Sequence, residues 1–406
     1  MASYEENPQG ISQADMIVAI PSYNEAEMIG YVTSQAGQGL AEHFGHLRCV
    51  LVNCDNHSLD GTKEAFMSVP TAAPKIYLST PPNSPGKGNN LRNLFEKVRD
   101  LGAKTVVVVD ADVKSITPQW IKNLAEPLEK GFGFICPLYV RHKYESTLAS
   151  TIAYPFTRCL YGRRVRQPLA GDFGFQGQLA EKFLQCPVWT ESSQNYGINI
   201  WMSTVAINAR MPICQSFMGG PKVHRNEDPL AQLTALFHQV VGTIFDLMAL
   251  YSDFWRQVKW SKPTAIFGVS GEDVEMPPAM GINENRLHEH FTRGFEDYLE
   301  LWQQIFDQSV IHKLQEMRGL GLQQFSFPIQ TWVNILFDAA VAYQQTSETD
   351  RPTLLDALLP IYMGKVLAFV RKTERVSVQQ AEELVENECM VFEETKPYLL
   401  SKWDGR

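Results

Sequence analysis

The chain has 406 residues, 44% hydrophobic and 20% charged, enough for two or three packed domains. Its 36 basic against 45 acidic residues leave a net charge of −9, which argues against the concentrated basic face that a nucleic-acid partner needs. A polar start over 1–15, no evident membrane-length apolar run and seven scattered cysteines without a Cys-x-x-Cys pair predict a cytoplasmic protein with reduced thiols, no zinc site and no membrane span.

In chain order, Met16–Ile20 reads as a short apolar strand ended by Pro21-Ser22-Tyr23-Asn24-Glu25, and Ala26–Ala36 as a helix. Arg48–Asn53 is a second strand, and the loop from Asp55 to Thr62 opens a helix at Lys63–Ser68. Lys75–Ser79 and Asn89–Leu101 follow as strand and helix, then the most hydrophobic strand, Thr105–Asp110, and a helix at Pro118–Lys130. This alternation predicts a parallel sheet covered on both faces, with ligands bound beyond the carboxyl ends of its strands. Asn24/Glu25, Asp55–Asp60, Gly86-Lys87-Gly88 and Asp110/Asp112 all fall at that edge. From about Asp228 onward the spacing turns helical, over Pro229–Trp260, Asn285–Gly319, Pro328–Gln345, Thr353–Lys372 and Ser377–Trp403. An α/β domain over 1–228 and a helical domain over 229–406 are therefore expected. The aromatic stripes of the second half (Phe245, Trp255, Trp302, Phe306, Trp332, Phe337) read as core or subunit interface, which leaves room for homo-oligomerisation.

The chemistry concentrates at Thr105-Val-Val-Val-Val-Asp110-Ala111-Asp112. Alternation along an extended chain puts both carboxylates on one side, and a hard divalent cation, Mg²⁺ or Mn²⁺, relieves their repulsion. Ser84-Pro85-Gly86-Lys87-Gly88 places a lysine between glycines before a helix, which suits a phosphate or makes a plain Pro-Gly turn with a solvated lysine. Asp55 and Asp60 could accept from a base or ribose, and Asp60 could equally cap the following helix. His224, in Lys222-Val223-His224-Arg225 beyond a glycine turn, could complete a metal site. The loops 167–173 and 195–200 could position a sugar or be ordinary turns.

Taken in order, Ile20-Pro21-Ser22-Tyr23-Asn24-Glu25, Asp55 to Thr62, Gly86-Lys87-Gly88 and Asp110-Ala111-Asp112 resemble the nucleotide-sugar domain of GT-A glycosyltransferases, a Rossmann-like α/β fold, here with a mostly helical C-terminal region. Pro85–Gly88, Asp110-Ala111-Asp112 with Ile116–Ile121, Gln167–Asp172, Tyr196–Asn199 and Lys222–Arg225 look most like the retaining synthases of glucosylglycerate, mannosylglycerate and glucosyl-3-phosphoglycerate. The resemblance implies a metal held by Asp112 and His224, with Asp110 at the ribose or a metal-bound water. It places Pro21, Tyr23, Glu25 and Asp55 at the nucleoside, Lys87 at the diphosphate, and Ala111 and Asp172 along the donor. Leu169, Ala170 and Gly171 would present backbone groups to the reacting centre, and Arg141, Tyr144 and Thr147 would hold the acceptor carboxylate. Two positions depart from the mannosylglycerate enzyme, which has aspartate where Asn199 stands and tryptophan where Tyr196 stands. Asp172 is also shorter than the common glutamate there. An amide cannot serve as a carboxylate base, so Asn199 is expected to hydrogen-bond donor hydroxyls.

The activity implied is transfer of a hexosyl group, glucose before mannose, from a nucleoside-diphosphate sugar, GDP-linked before others, to D-glycerate. The neighbouring alternatives are synthesis of glucosyl-3-phosphoglycerate or mannosylglycerate. From other classes come a sugar-phosphate nucleotidyltransferase and a non-catalytic nucleotide-sugar-binding protein. Arg158, Arg163, Arg164 and Arg166 form either a second acceptor cluster or a solvated basic loop.

Overall fold

The structure, a computed structural model, describes residues 4–224, 233–268, 276–277 and 280–405. It divides into two compact units: Met1–Arg141 with Val165–Pro229 and Pro263–Pro277, and His142–Arg164 with Leu230–Lys262 and Pro278–Arg406. The boundary expected at 228/229 lies outside the described residues, as does Arg225 of the His224 motif. The division also departs from a single cut, because 142–164 belongs with the helices. Burial explains this: Ala149–Ala153 forms a π-helical turn, and every residue of the helix Tyr154–Tyr161 is buried. Phe156 meets the rings of Phe245, Phe337 and Phe392, and the Trp332 indole donates to the Thr151 carbonyl at 3.0 Å.

The first unit is built on nine strands: β1 Tyr4–Glu6, β2 Met16–Ser22, β3 Cys49–Asp55, β4 Lys75–Ser79, β5 Thr105–Val108, β6 Phe134–Leu138, β7 Phe173–Gln176, β8 Ile213–Phe217 and β9 Ala265–Phe267. They form one sheet in the order β1-β4-β3-β2-β5-β7-β6-β8-β9. The strands β2 to β5 pair in parallel, each linked to the next through a helix, as the alternation predicted. The sheet as a whole is mixed, which corrects the expectation of a purely parallel one. β7 runs antiparallel between β5 and β6, and β1 lies antiparallel on the edge. Beneath the sheet, Val18, Ile20, Val32, Leu40, Phe66, Val107, Trp120 and Leu124 join one apolar core. The parallel register aligns the carboxyl ends of β2, β3 and β4, so that Ser22 sits opposite Asp55 and Asp55 opposite Ser79.

The second unit is helical. Leu233–Leu250, Glu284–Ile305, Gln308–Arg318, Ile329–Gln345, Arg351–Thr373 and Val378–Asp404 supply most of it. The stretch 285–319, expected to be helical, forms two helices separated at Phe306-Asp307, where the chain turns extended. The six aromatics expected in the core are buried. Against the expectation of no membrane-length segment, Leu233–Leu250 and Arg351–Thr373 are long and apolar enough to span one, with mean hydropathy of 1.5 and 1.6. Their windows are 56% and 78% buried inside the protein, the burial of core helices.

Candidate functional site

At the carboxyl end of β3, Asp55 is wholly buried and fully engaged. It accepts from the Ser22 hydroxyl at 2.7 Å, the Ser58 amide at 2.7 Å, the Ser58 hydroxyl at 2.6 Å and the Tyr77 phenol at 2.9 Å. The residue expected at the nucleoside is thus turned into the protein, where it knits the loop to β2 and β4. Asp60 is also taken up by the protein, accepting from the Ala26 amide at 3.0 Å and the Thr62 amide at 3.1 Å, while Gly61 caps the helix Thr62–Ser68. The Glu25 amide donates to the Thr62 hydroxyl at 2.9 Å. Pro21 is buried in β2, whereas Tyr23 is 62% exposed on this edge.

The turn carrying Lys87 is held by Asn56, a residue that sequence reasoning passed over. Its amide group donates to the Thr80 hydroxyl, the Ser84 carbonyl and the Asn90 side chain at 3.0–3.1 Å, and its oxygen accepts from the Gly86 amide at 3.1 Å. The flanking glycines serve packing. A β carbon on Gly88 would lie 2.2 Å from the Ser193 carbonyl, and one on Gly86, at φ +118°, 2.3 Å from that of Gln194. The segment leading to Tyr196 and Asn199 therefore rests directly on the lysine turn.

Beyond β5 the two aspartates take different partners. Asp110 pairs with Lys87 through one oxygen and with Lys222 through the other, the latter at 2.6 Å. Lys222 also reaches Asp172 at 2.7 Å. The Asp172 carboxylate further accepts from the Tyr139 phenol and, at 2.8 Å, from the Asp110 amide. Burial alone would raise the Asp110 carboxyl, but Lys222 and then Lys87 outweigh it and hold it well below the usual carboxylate range. Burial and the neighbouring Asp172 push the Tyr139 phenol up, so it remains a neutral donor. Backbone contact makes this possible: a β carbon on Gly171 would lie 2.0 Å from Asp110 Oδ2, so only glycine lets the 169–172 loop close on that carboxylate. Lys87 also donates to the Gly171 carbonyl at 3.3 Å.

Asp112 faces His224, whose Nδ1 lies 3.2 Å from both carboxylate oxygens. A bridge between Val113 and His224 and a hydrogen bond from the Lys114 amide to the Val223 carbonyl at 2.8 Å fix this meeting. Carboxylate oxygen and imidazole nitrogen suit Mg²⁺ or Mn²⁺. Among the described residues no third His, Cys, Asp or Glu joins them. The pair fits an ion that takes its remaining ligands from phosphate oxygens and water.

Asn199 is fully buried. Its amide group donates weakly to the Leu169 carbonyl at 3.4 Å, and its Oδ1 has no hydrogen-bond partner among the described residues. Tyr196 is 38% exposed, with Lys87 Nζ 5.9 Å from its ring centre. Ala111, Leu169 and Ala170 are buried around the aspartates. The expected acceptor trio does not form within either unit. Arg141 belongs to the first, where its guanidinium lies over Tyr139. Tyr144 and Thr147 belong to the second, their hydroxyls bonded to the Val370 carbonyl at 3.3 Å and the Tyr362 phenol at 2.7 Å. Of the basic cluster, Arg158 is buried in ion pairs with Glu386 and Glu393 inside the helical unit.

Compared with known proteins, residues 17–179 match the family model Glycosyl transferase family 2. No curated protein matches the chain. Among solved structures it is similar to glucosyl-3-phosphoglycerate synthase from Mycobacterium tuberculosis. In complex with Mn²⁺, UDP and phosphoglyceric acid, that enzyme is 22% identical, with 57% of this chain and 78% of that one covered and a TM-score of 0.44. Its complex with Mn²⁺, UDP-glucose and glycerol 3-phosphate gives 23% identity, 57% and 79% coverage and 0.43, and its complex with Mg²⁺ and UDP 21%, 57%, 79% and 0.41. Residues 17–179 thus match the glycosyl transferase family 2 model and are laid out as a Rossmann-like α/β fold of the GT-A type.

Proposed function

We propose that the first unit moves a hexosyl group, glucose in preference to mannose, from a nucleoside-diphosphate sugar to D-glycerate, making glucosylglycerate. The observation that carries this reading is the sharing of roles between the two aspartates: Asp112 stands with His224, while Asp110 is neutralised by Lys87 and Lys222. A Mg²⁺ or Mn²⁺ ion bound at Asp112 and His224 would offset the charge that develops on the departing diphosphate. Lys87, at the N-terminus of the helix Lys87–Leu101, would face the same phosphates. Tyr196 and Asn199, whose Oδ1 has no hydrogen-bond partner among the described residues, would orient the sugar.

The resemblance to the retaining synthases implies retention at the anomeric carbon, by a route that uses no enzyme nucleophile. Asp110 and Asp172 are both tied to Lys222, and position 199 is an amide, so among these residues no free carboxylate is available for a covalent intermediate. Retention then comes from attack on the face the diphosphate leaves, with a phosphate oxygen accepting the acceptor's proton. Arg141 supplies a guanidinium for the acceptor's carboxylate.

The test is acceptor-dependent release of nucleoside diphosphate from GDP-, UDP- and ADP-linked glucose and mannose. D-glycerate and 3-phosphoglycerate serve as acceptors, with Mg²⁺ or Mn²⁺ present. The resemblance points to a GDP-linked donor, whereas the similar mycobacterial enzyme was crystallised with UDP. Release that requires D-glycerate and disappears in Asp112→Ala supports the proposal. Release only with 3-phosphoglycerate would reassign the acceptor, and no release with any pair would refute the reading.

A further inference from the structure

Asp110 is held by two lysines where one would balance it. The buried group contains Lys87 and Lys222 against Asp110 and Asp172, two cations and two anions, with Tyr139 as a neutral donor. The lysines differ in what they can do. Lys222 is 3% exposed and bridges both carboxylates, at 2.6 and 2.7 Å. Lys87 is 16% exposed, begins a helix, lies near the exposed Tyr196 ring and meets one carboxylate plus the Gly171 carbonyl. Lys87 is the cation free to change partners.

We infer that Lys222 is a positioning residue that keeps Asp110 and Asp172 neutralised and in place while Lys87 exchanges Asp110 for the donor's diphosphate. The inference rests on the glycosyl-transfer reading above. Removing one partner from a buried ion pair strands the other charge, which is strongly unfavourable. With Lys222 present, Asp110 keeps a cation when Lys87 leaves. The backbone ties both ends of the device together: Lys222 and His224 lie on one short segment, which the Val223 carbonyl and the bridge at Val113 fasten to the Asp112 loop. Without Lys222, two carboxylates would compete for Lys87 and lock it away from phosphate.

The test compares Lys222→Met, Lys222→Arg and the charge-balanced Lys222→Met/Asp172→Asn with the wild type. Binding of UDP and of GDP in the presence of Mn²⁺ is measured by calorimetry, and donor and acceptor KM by turnover. Lys222→Met is expected to weaken nucleoside-diphosphate binding and raise donor KM about tenfold, with acceptor KM little changed. Lys222→Arg should recover most of that loss, whereas the charge-balanced double variant should recover stability but not binding, because Asp110 then has no cation except Lys87. Should Lys222→Met fail to fold, the double variant carries the test, since it keeps one carboxylate for each remaining cation. Wild-type binding in Lys222→Met overturns the inference, and so does a double variant that binds as tightly as the wild type. A wild type that binds neither nucleotide refutes the transferase reading itself.

Discussion

Replacing Gly171 by alanine tests how tightly the site is built. The added methyl would start 2.0 Å from Asp110 Oδ2, whereas ordinary contact begins near 3.4 Å, so the carboxylate must retreat by 1.4 Å. That retreat stretches the 2.6 Å bond from Lys222 towards 4 Å, beyond hydrogen-bond range. Forcing a methyl into a packed site costs about 1–3 kcal/mol, and breaking a buried ion pair about 3–5 kcal/mol. A total near 3 kcal/mol is expected, because Lys87 and Lys222 can follow the carboxylate part of the way. For a unit of this size that lowers Tm by about 6–12 °C. Displacing a reacting-site group by 1 Å costs about a hundredfold in rate, so kcat/KM should fall at least that far. Differential scanning fluorimetry and the nucleotide-release assay read both effects. Wild-type melting and turnover in Gly171→Ala would refute the close approach of this loop to Asp110.

Three further outcomes follow from groups outside the aspartate cluster. Burial raises the Asp338 carboxyl to about 6, only partly countered by the hydrogen bond from Tyr398. Its folded value thus exceeds the unfolded one, so its contribution is favourable below about pH 4 and is lost as pH rises through 6. Asp338→Asn should therefore be more stable than the wild type at pH 8, by up to about 3 kcal/mol, with the gap roughly halved at pH 5 and closed by about pH 3; an equal gap at pH 8 and pH 3 would contradict this. Lys75 donates to the Phe66, Met67 and Val69 carbonyls that end the helix Thr62–Ser68, so Lys75→Met should cost about 1–3 kcal/mol in a urea titration with kcat little changed. Gly88→Ala should push the Ser193 carbonyl away from the lysine turn and raise donor KM, and an unchanged KM would show that the two segments move independently.

Much of the site was readable before any coordinates. The carboxyl ends of β2 to β5 follow from the alternation of apolar strands and helices, and Asp110, Asp112 and Lys87 lie there for that reason. Lys222 and Tyr139 were not readable, because they reach Asp172 only through the antiparallel insertion of β7 between β5 and β6. The four-residue Phe173–Gln176 strand is too short for its direction to show in a hydropathy pattern. Gly86 and Gly88 carried the right signal for the wrong reason: they admit the Ser193–Gln194 backbone, a contact more than a hundred residues distant. Asp55 looked like an outward-facing acid, since nothing local reveals that Ser22, Ser58 and Tyr77 saturate it. The segment 142–164 follows the helical unit because 149–161 is buried all round, a pattern with no periodicity to assign it.

The most direct test of the account is calorimetric binding of a nucleoside diphosphate, UDP and GDP in turn, with Mn²⁺ present and then chelated. Binding by the wild type that needs the metal and is lost in both Asp112→Ala and His224→Ala is predicted. Tight binding that ignores the metal, or that survives both substitutions, would contradict the placement of the donor at the end of β5.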